Sequence, residues 1–432
     1  MKDFCIEDYS VYNLKWIFDA KNYDYPNMNL KESVEFFVSE KFDYYDQWIL
    51  DEPIFFSKKS NADLKKLQKI MFKMIHEFVI NYKKYKNLMP VSNEVEQVLE
   101  YFHTKPYEIG TYRTDFVFDD KQQIKLIEIT CRFALNGMFL SSVLNQKARS
   151  YLKSELSDFD YIDDYSAIYS KFESYLAEVD SITVLVGDDT RNESKIYSPI
   201  FDRAGYPVKF LNYKDIADNL DKIRSSWVIS ELSFDEILSL DHKVLKELSS
   251  LKISNDFRTV FLVHDKRFFD VLGDKNLQAK ALSQDEIIFF ERYYIPTFSY
   301  DENSPNWVDA KSNKKNWIIK HRALGKSQEV YAGILTSVEE WRSLFKSPRV
   351  EDLVLQKWIP QKTIKNKLKS LEINDYITGT LLFFDDHYYG FGDFRTSSYP
   401  VTNKKDHRKA AGLVIQNIDQ LPELLREKSI NI

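Results

Sequence analysis

Hydrophobic and polar positions alternate most clearly in Tyr112-Arg113-Thr114-Asp115-Phe116-Val117-Phe118 and again in Ile124-Lys125-Leu126-Ile127-Glu128-Ile129-Thr130. The polar Asp119-Asp120-Lys121-Gln122-Gln123 lies between them. Two β-forming runs around a polar turn predict an antiparallel hairpin. Side chains alternate between strand faces, so Arg113 and Asp115 share one face, as do Glu128 and Thr130. A four-residue loop, Asp120 to Gln123, pairs Asp119 with Ile124 and sets Asp115 opposite Glu128. Two carboxylates opposed across a ladder repel. A cation between them removes the penalty, and Mg²⁺ suits because it takes few carboxylates and leaves room for phosphate oxygens. The alternative is a solvated hairpin with scattered charges, since a one-residue slip separates the pair.

Upstream, residues 1 to about 105 read as mainly helical. Ser60-Asn61-Ala62-Asp63 resembles a capping box. After it, Leu64, Leu67, Met71, Met74, Ile75, Phe78 and Tyr82 fall on one helical face, which reads as core packing. Downstream of the hairpin, Cys131 to Met138 is a loop leading into a helix through Lys147. Ser154 to Tyr165 is an acidic, exposed connection, and a helix runs from about Ser166 to Val179. Ile182-Thr183-Val184-Leu185-Val186 is a buried strand ending in Gly187-Asp188-Asp189. A helix around Ser194 to Ala204 and a strand through Val208 to Leu211 complete a βαβ unit with a parallel sheet. Trp227 to Ser230 and Thr259 to Val263 are expected as further strands. Gly187-Asp188-Asp189 is no GxGxxG fingerprint, so a nicotinamide cofactor is unsupported.

Composition narrows the class. The chain has 432 residues, enough for two or three lobes around a substantial core, and 44% are apolar, which argues against disorder. A net charge of −6 with both signs interspersed lacks the basic face of a nucleic-acid binder. Cys5 and Cys131 are the only cysteines, which leaves no disulfide framework and no cysteine-based zinc site. The start of the sequence has no apolar core of signal-peptide type, and no run approaches the ~18 apolar residues that span a bilayer. A cytoplasmic protein that contacts neither membrane nor nucleic acid is expected.

The last third carries further candidates. Asn316 to Lys320 is a strand with lysine at its end, followed by a polar loop around Gly325 and a returning strand, Val330 to Ile334. Such a loop can fold over phosphates, with Lys320 supplying a compact charge. No Walker loop is present, and a lysine at a strand end otherwise snorkels to water. Val354 to Pro360 is a buried strand whose exit, Gln356-Lys357-Trp358-Ile359, can offer polar backbone groups to an adenine edge or be an ordinary strand exit. Tyr376 to Phe384 and His387 to Gly390 form a hairpin around Asp385-Asp386. Arg395, in an aromatic β-forming stretch, requires an anion, either a structural carboxylate or a phosphate or acyl group. The acidic pairs Asp188-Asp189 and Asp385-Asp386 are not D-x-D motifs, which disfavours a metal-dependent glycosyltransferase.

Taken in order, these segments resemble the circularly permuted ATP-grasp ligases of the glutathionylspermidine-synthase-like superfamily. Arg113-Thr114-Asp115 is similar to the family's R-x-D strand, and Glu128-Ile129-Thr130 to its E-x-N strand with threonine in the last place. The resemblance covers roughly residues 110–415 and takes in the lead-in His264 to Leu272. It implies an α/β (α+β) ATP-grasp fold with a Rossmann-like preATP-grasp domain and an N-terminal helical cap. The implied boundaries are 1–105 for the cap, 106–165 for a permuted segment with the metal hairpin, 166–255 for the preATP-grasp domain and 256–432 for the nucleotide lobes. The implied cofactors are ATP and Mg²⁺. Asp115, Glu128 and Thr130 would hold the metal, with Asn136 a substitute for the missing asparagine. Lys266, Lys320, Gly325, Gln356, Lys357, Trp358 and Ile359 would hold the nucleotide. Arg113 and Arg395 would face the transferred phosphoryl group, and Arg132, Asn136 and Asn403 the substrates. The implied reaction joins a small-molecule carboxylate, free or bound to a peptide or carrier protein, to an amine or thiol through an acylphosphate. A nucleotide-binding scaffold without ligase activity is the alternative, favoured by Thr130. The first hundred residues are expected to shape the substrate pocket.

Overall fold

The computed structural model describes residues 28–426, apart from 136, 189–193 and 326. Asn136, Asp189 and Cys5 therefore lie outside the described residues. Helix α1 (Leu30–Asp46) begins at a capping box in which Asn29 and Glu32 each bond the other's amide. Strand β1 (Ile54–Ser57) leads directly into α2 (Lys58–Ile80). The true cap of α2 is Ser57, whose hydroxyl accepts the Ser60 amide, so the helix starts ahead of the expected Ser60 box. The stripe from Leu64 to Tyr82 is buried, as the 3.6-residue period requires.

Helix α3 (Asn93–Phe102) precedes the hairpin of β2 (Thr111–Phe118) and β3 (Ile124–Thr130). Helix α4 (Met138–Glu155), the short β4 (Tyr161–Ile162) and α5 (Ala167–Leu176) follow. The expected βαβ unit is β5 (Ser181–Val186), α6 (Ser194–Arg203) and β6 (Val208–Asn212), extended by β7 (Ser226–Ser230) and β8 (Ile253–Ser254). These four strands form a parallel sheet in the order β6-β5-β7-β8. Thr259 to Val263 is not a strand. It belongs to α7 (Phe257–Leu262), capped by Asp256, because a short apolar run carries no period that separates a buried strand from a buried helix.

Strands β9 (Thr297–Ser299), β10 (Trp317–His321), β11 (Val330–Ala332) and β12 (Leu353–Lys357) make an antiparallel sheet in the order β11-β10-β12-β9. Strands β13 (Ile364–Leu368), β14 (Leu371–Phe384), β15 (His387–Ser397) and β16 (Arg408–Ala410) return to the first hairpin, giving β16-β15-β14-β2-β3 with β13 paired to β14. Strand β17 (Gly412–Ile415) pairs in parallel with β1 and antiparallel with β4. The central sheet thus joins strands nearly three hundred residues apart. Phe116, Phe118 and Phe394 point to the core beneath α2, while Leu382 and Phe384 point to the core beneath α4 and α5. Among the described residues no helix is long and apolar enough to cross a membrane.

Candidate functional site

Asp115 does stand opposite Glu128, but by a different route from the one expected. The loop has five residues, Asp119 to Gln123, and pairs Phe118 with Ile124. Asp119 closes it by accepting the Lys121 and Gln123 amides. A bulge then inserts Ile127 between Leu126, opposite Phe116, and Glu128, opposite Asp115. The extra residue in the loop and the extra residue in the strand cancel. Such a bulge re-aims backbone groups. Here the Leu126 amide bonds Tyr293 O at 2.8 Å, and Ile127 O accepts Lys320 Nζ at 3.1 Å.

The hairpin floors a cavity of about 700 Å³ between the central sheet and the β9–β12 sheet. On one side, Arg113, Arg395 and Lys409 interleave with Asp115 and Asp393. Arg395 bonds Asp115, Arg113 Nε lies 3.4 Å from Asp115 Oδ1, and Lys409 Nζ is 2.9 Å from Asp393 Oδ2. Asp115 Oδ1 and Arg395 Nε are buried without a hydrogen bond. Burial alone would raise the Asp393 pKa, but Lys409, Arg395 and Arg113 outweigh it and hold the carboxyl well below its usual range. Burial pushes Lys409 down, against the pull of Asp393. For Arg395, burial is likewise opposed by Asp115 and Asp393, and the net shift is upward.

On the other side, Lys266 Nζ lies 3.1 Å from Glu128 Oε1 and 2.6 Å from Leu324 O. Lys320 is buried, contrary to a lysine reaching water, and bonds Gln356 Oε1 at 2.8 Å as well as Ile127 O. Burial pushes its pKa down to about 8, with Glu128 opposing and Lys266 assisting. Burial would raise Glu128, but Lys266 and Lys320 prevail and lower it.

Gln356 lines the cavity but its side chain is already bonded. Its amide nitrogen donates to Thr297 Oγ1 at 2.9 Å, so it fixes Lys320 between two sheets' worth of donors and acceptors. The amides of Lys357 and Trp358 are engaged by Pro296 O and Asn316 O, and Lys357 Nζ lies over the Trp317 ring. Trp358, Ile359, Gly325, Thr130 and Asn403 line the cavity. Arg132 also lines it, but its guanidinium donates to Leu232 O and Glu231 O at 2.8 and 2.7 Å, which docks the hairpin against the parallel sheet. Asp393, Lys409 and His264 line the cavity and were missed by sequence reasoning. Asp393 was recoverable, since it lies two residues from Arg395 on the same strand face. The His264 pKa is lowered to about 4, first by burial and then by Lys266, which keeps the ring neutral. Among the described residues no group of three His, Cys, Asp or Glu converges as a metal cage.

The model of the AnkG N-terminal domain matches residues 65–262, a span that contains the hairpin, α4 and the parallel sheet but neither Lys320 nor Arg395. No curated protein matches the chain. Among solved structures, the chain is similar to a glutathione synthetase-like effector (GSS30) from Globodera pallida in its apo form. The two are 13% identical, and the match has a TM-score of 0.56 and covers 91% of this chain and 100% of that one. The likeness is one of fold: the chain has a mixed α/β, glutathione synthetase-like architecture.

Proposed function

We propose that the cavity binds ATP and that the protein is an ATP-dependent carboxylate–amine (or thiol) ligase with a circularly permuted ATP-grasp fold. The observation that carries this reading is the charge of the cleft. Among the described residues, Arg113, Arg395, Lys409, Lys266 and Lys320 are set against Asp115, Asp393 and Glu128. A buried excess of cations is costly unless an anion joins it. Phosphoryl transfer asks a protein chiefly for positioning and charge neutralisation, which is what such a set provides.

In this reading the substrate carboxylate attacks the γ-phosphorus, ADP leaves, and an acylphosphate forms. The amine nitrogen then attacks the acyl carbon, phosphate departs, and the amine proton passes to solvent. Lys320 and Lys266 neutralise the nucleotide phosphates. Arg395 and Arg113 face the transferred phosphoryl group and the acyl oxygen. Adenine contacts fall to Ile359, Trp358 and the carbonyl groups of the strand exit, since the Lys357 and Trp358 amides are already used. Asp115 and Glu128 suit a Mg²⁺ ion, because Asp115 Oδ1 is buried and accepts no hydrogen bond and a two-carboxylate set leaves coordination to phosphate oxygens. Bound there, Mg²⁺ would neutralise phosphate charge.

The test is incubation with Mg·ATP and a panel of carboxylates and amines. ADP and phosphate are expected as products, and Asp115→Asn or Glu128→Gln should abolish their release. Undiminished turnover in both variants would remove the metal assignment, and AMP with pyrophosphate would remove the acylphosphate. A nucleotide-binding protein without ligase activity is the second reading. It is favoured by the ion pairs that occupy Asp115 and Glu128, with Arg395 and Lys266. A ligase should bind an acylphosphate mimic with Mg·ADP far more tightly than ADP alone, whereas a scaffold should not.

A further inference from the structure

With the nucleotide placed as proposed, one side of the cavity would be left without an occupant. On the side of Arg113 and Lys409, its wall is made by Tyr45, Trp48, Phe133, Phe139, Leu140 and Tyr197. These residues come from α1, the turn after it, the loop before α4, the first turn of α4, and α6. They form one built surface. Tyr45 and Phe139 meet edge to face with ring centroids 5.8 Å apart, and Tyr197 Oη accepts the Phe139 amide. The turn carrying Trp48 is laced to β16, since the Lys409 amide donates to Trp48 O at 2.8 Å and the Leu50 amide to Lys409 O at 2.7 Å. Trp48 therefore travels with the residue whose ammonium bonds Asp393. Gly137 lies so close to Arg113 that an added Cβ would come within 2.9 Å of Nη1, which seats the first turn of α4 against that guanidinium.

Two chemical properties coincide here. The wall is aromatic and aliphatic, and it is bordered by an ion-paired set of three cations, Arg113, Arg395 and Lys409, with two carboxylates, Asp115 and Asp393, while a fourth cation, Arg132, lies over the Phe133 ring and donates to backbone carbonyls. Among the described residues on this side both carboxylates already stand in ion pairs with Arg113, Arg395 and Lys409, so a polycationic amine would meet a net positive set. A single carboxylate balances the ion-paired set of Arg113, Arg395 and Lys409. Rings offered by Trp and Tyr favour a flat or bulky apolar body.

We infer that this side of the cleft binds a carboxylic acid whose carboxylate meets Arg113 and Lys409 and whose aromatic or bulky aliphatic body packs on Trp48 and Phe139. The inference rests on the ligase reading only where it makes this acid the acyl donor. It predicts a substrate class unlike a polyamine or a short polar acid.

Calorimetric titration of the full chain tests it with three probes, 3-phenylpropionate, acetate and spermidine, each with and without Mg·ADP. Mg·ADP binding alone is measured in parallel. Phenylpropionate should bind at least about tenfold more tightly than acetate, as burial of a phenyl group requires, and spermidine should show no saturable binding. Trp48→Ala should erase the preference between the acids without changing Mg·ADP affinity. Trp48→Phe should retain it, which separates a lost ring contact from a loosened chain. Equal affinity for the two acids, absence of binding by either, tighter binding of spermidine, or a preference that survives Trp48→Ala would overturn the inference. A phenylpropionate preference with no Mg·ADP binding would support the inference and count against the ATP reading. Mg·ADP binding with no preference would sink the inference alone.

Discussion

Two sets of buried charges in this molecule look alike in outline and differ in balance. In the first, Asp265 is matched by Arg267 and Arg322, and Arg322 is matched again by Asp352. Arg267 also donates to Pro90 O, and nearby Arg258 pairs with Asp256 and donates to the carbonyls of Lys105 and Pro106. Arg349 also meets Asp352 and reaches Glu329, so three cations meet three anions in one group and one meets one in the other, and spare donors end on backbone carbonyls. These are pins that hold α7 and the β10 loop in place. The cleft set is different. Three cations meet two carboxylates on one side and two meet one on the other, and Asp115 Oδ1, Arg395 Nε and His264 Nδ1 are buried without hydrogen bonds. Charge that closes on itself is structural, and charge left open toward a cavity prepares for a ligand.

The largest effect that should expose this difference is on the pins. Asp265→Ala leaves Arg267 and Arg322 without their shared partner and should cost about 3–5 kcal/mol of unfolding free energy. Denaturant titration reads it directly, and a loss below ~1 kcal/mol would blur the comparison. Gly137→Ala is next. The residue has φ +81° and its Cβ would crowd Arg113 Nη1, so the change should cost about 1–2 kcal/mol and weaken anion binding together. An unaltered affinity for inorganic phosphate would show that Arg113 does not face the ligand.

The smallest stability effect is expected within the cleft. Lys320 has a folded pKa of about 8, below its unfolded value of about 10.4, so its burial opposes folding fully below pH 8. The unfolded chain binds more protons between these values, so stability from this residue rises with pH across that window. Lys320→Met should flatten the rise while leaving stability at pH 7 equal or higher, as urea midpoints from pH 7 to 10 will show. A steeper rise in the variant would contradict the assignment. Phosphate binding should also raise the lysine's pKa, so ADP should take up protons when it binds above pH 8. Calorimetry in buffers of different ionisation enthalpy measures that uptake, and proton release would oppose it.

Much of the cleft was legible in sequence, for uneven reasons. The pairing of Asp115 with Glu128 emerged although both the loop length and the strand register were misjudged, because a bulge at Ile127 offset the longer loop. A bulge has no local code beyond its neighbours, here Tyr293 and Lys320, which lie far along the chain. Lys320 and Arg395 stood out as cations inside apolar strands; Lys320 is buried against Ile127 O and Gln356, and Arg395, largely covered, pairs with Asp115. Lys409 and His264 were invisible, because they reach the cavity only after β16 and the segment after α7 have packed. Ser57 was hidden as a cap because strand and helix meet there without a loop. The aromatic wall was unreadable for the same reason as Lys409: its residues come from five segments that no period connects.

The central claim, that an unbalanced buried charge set marks a phosphate-binding cleft, is tested most directly by titrating Mg·ADP into the wild-type chain and Lys320→Met at pH 7.5. Saturable binding to the wild type is expected, weakened by at least about tenfold in the variant at an unchanged or higher urea midpoint. Equal affinity in both proteins, or no binding to a folded wild type, would contradict it.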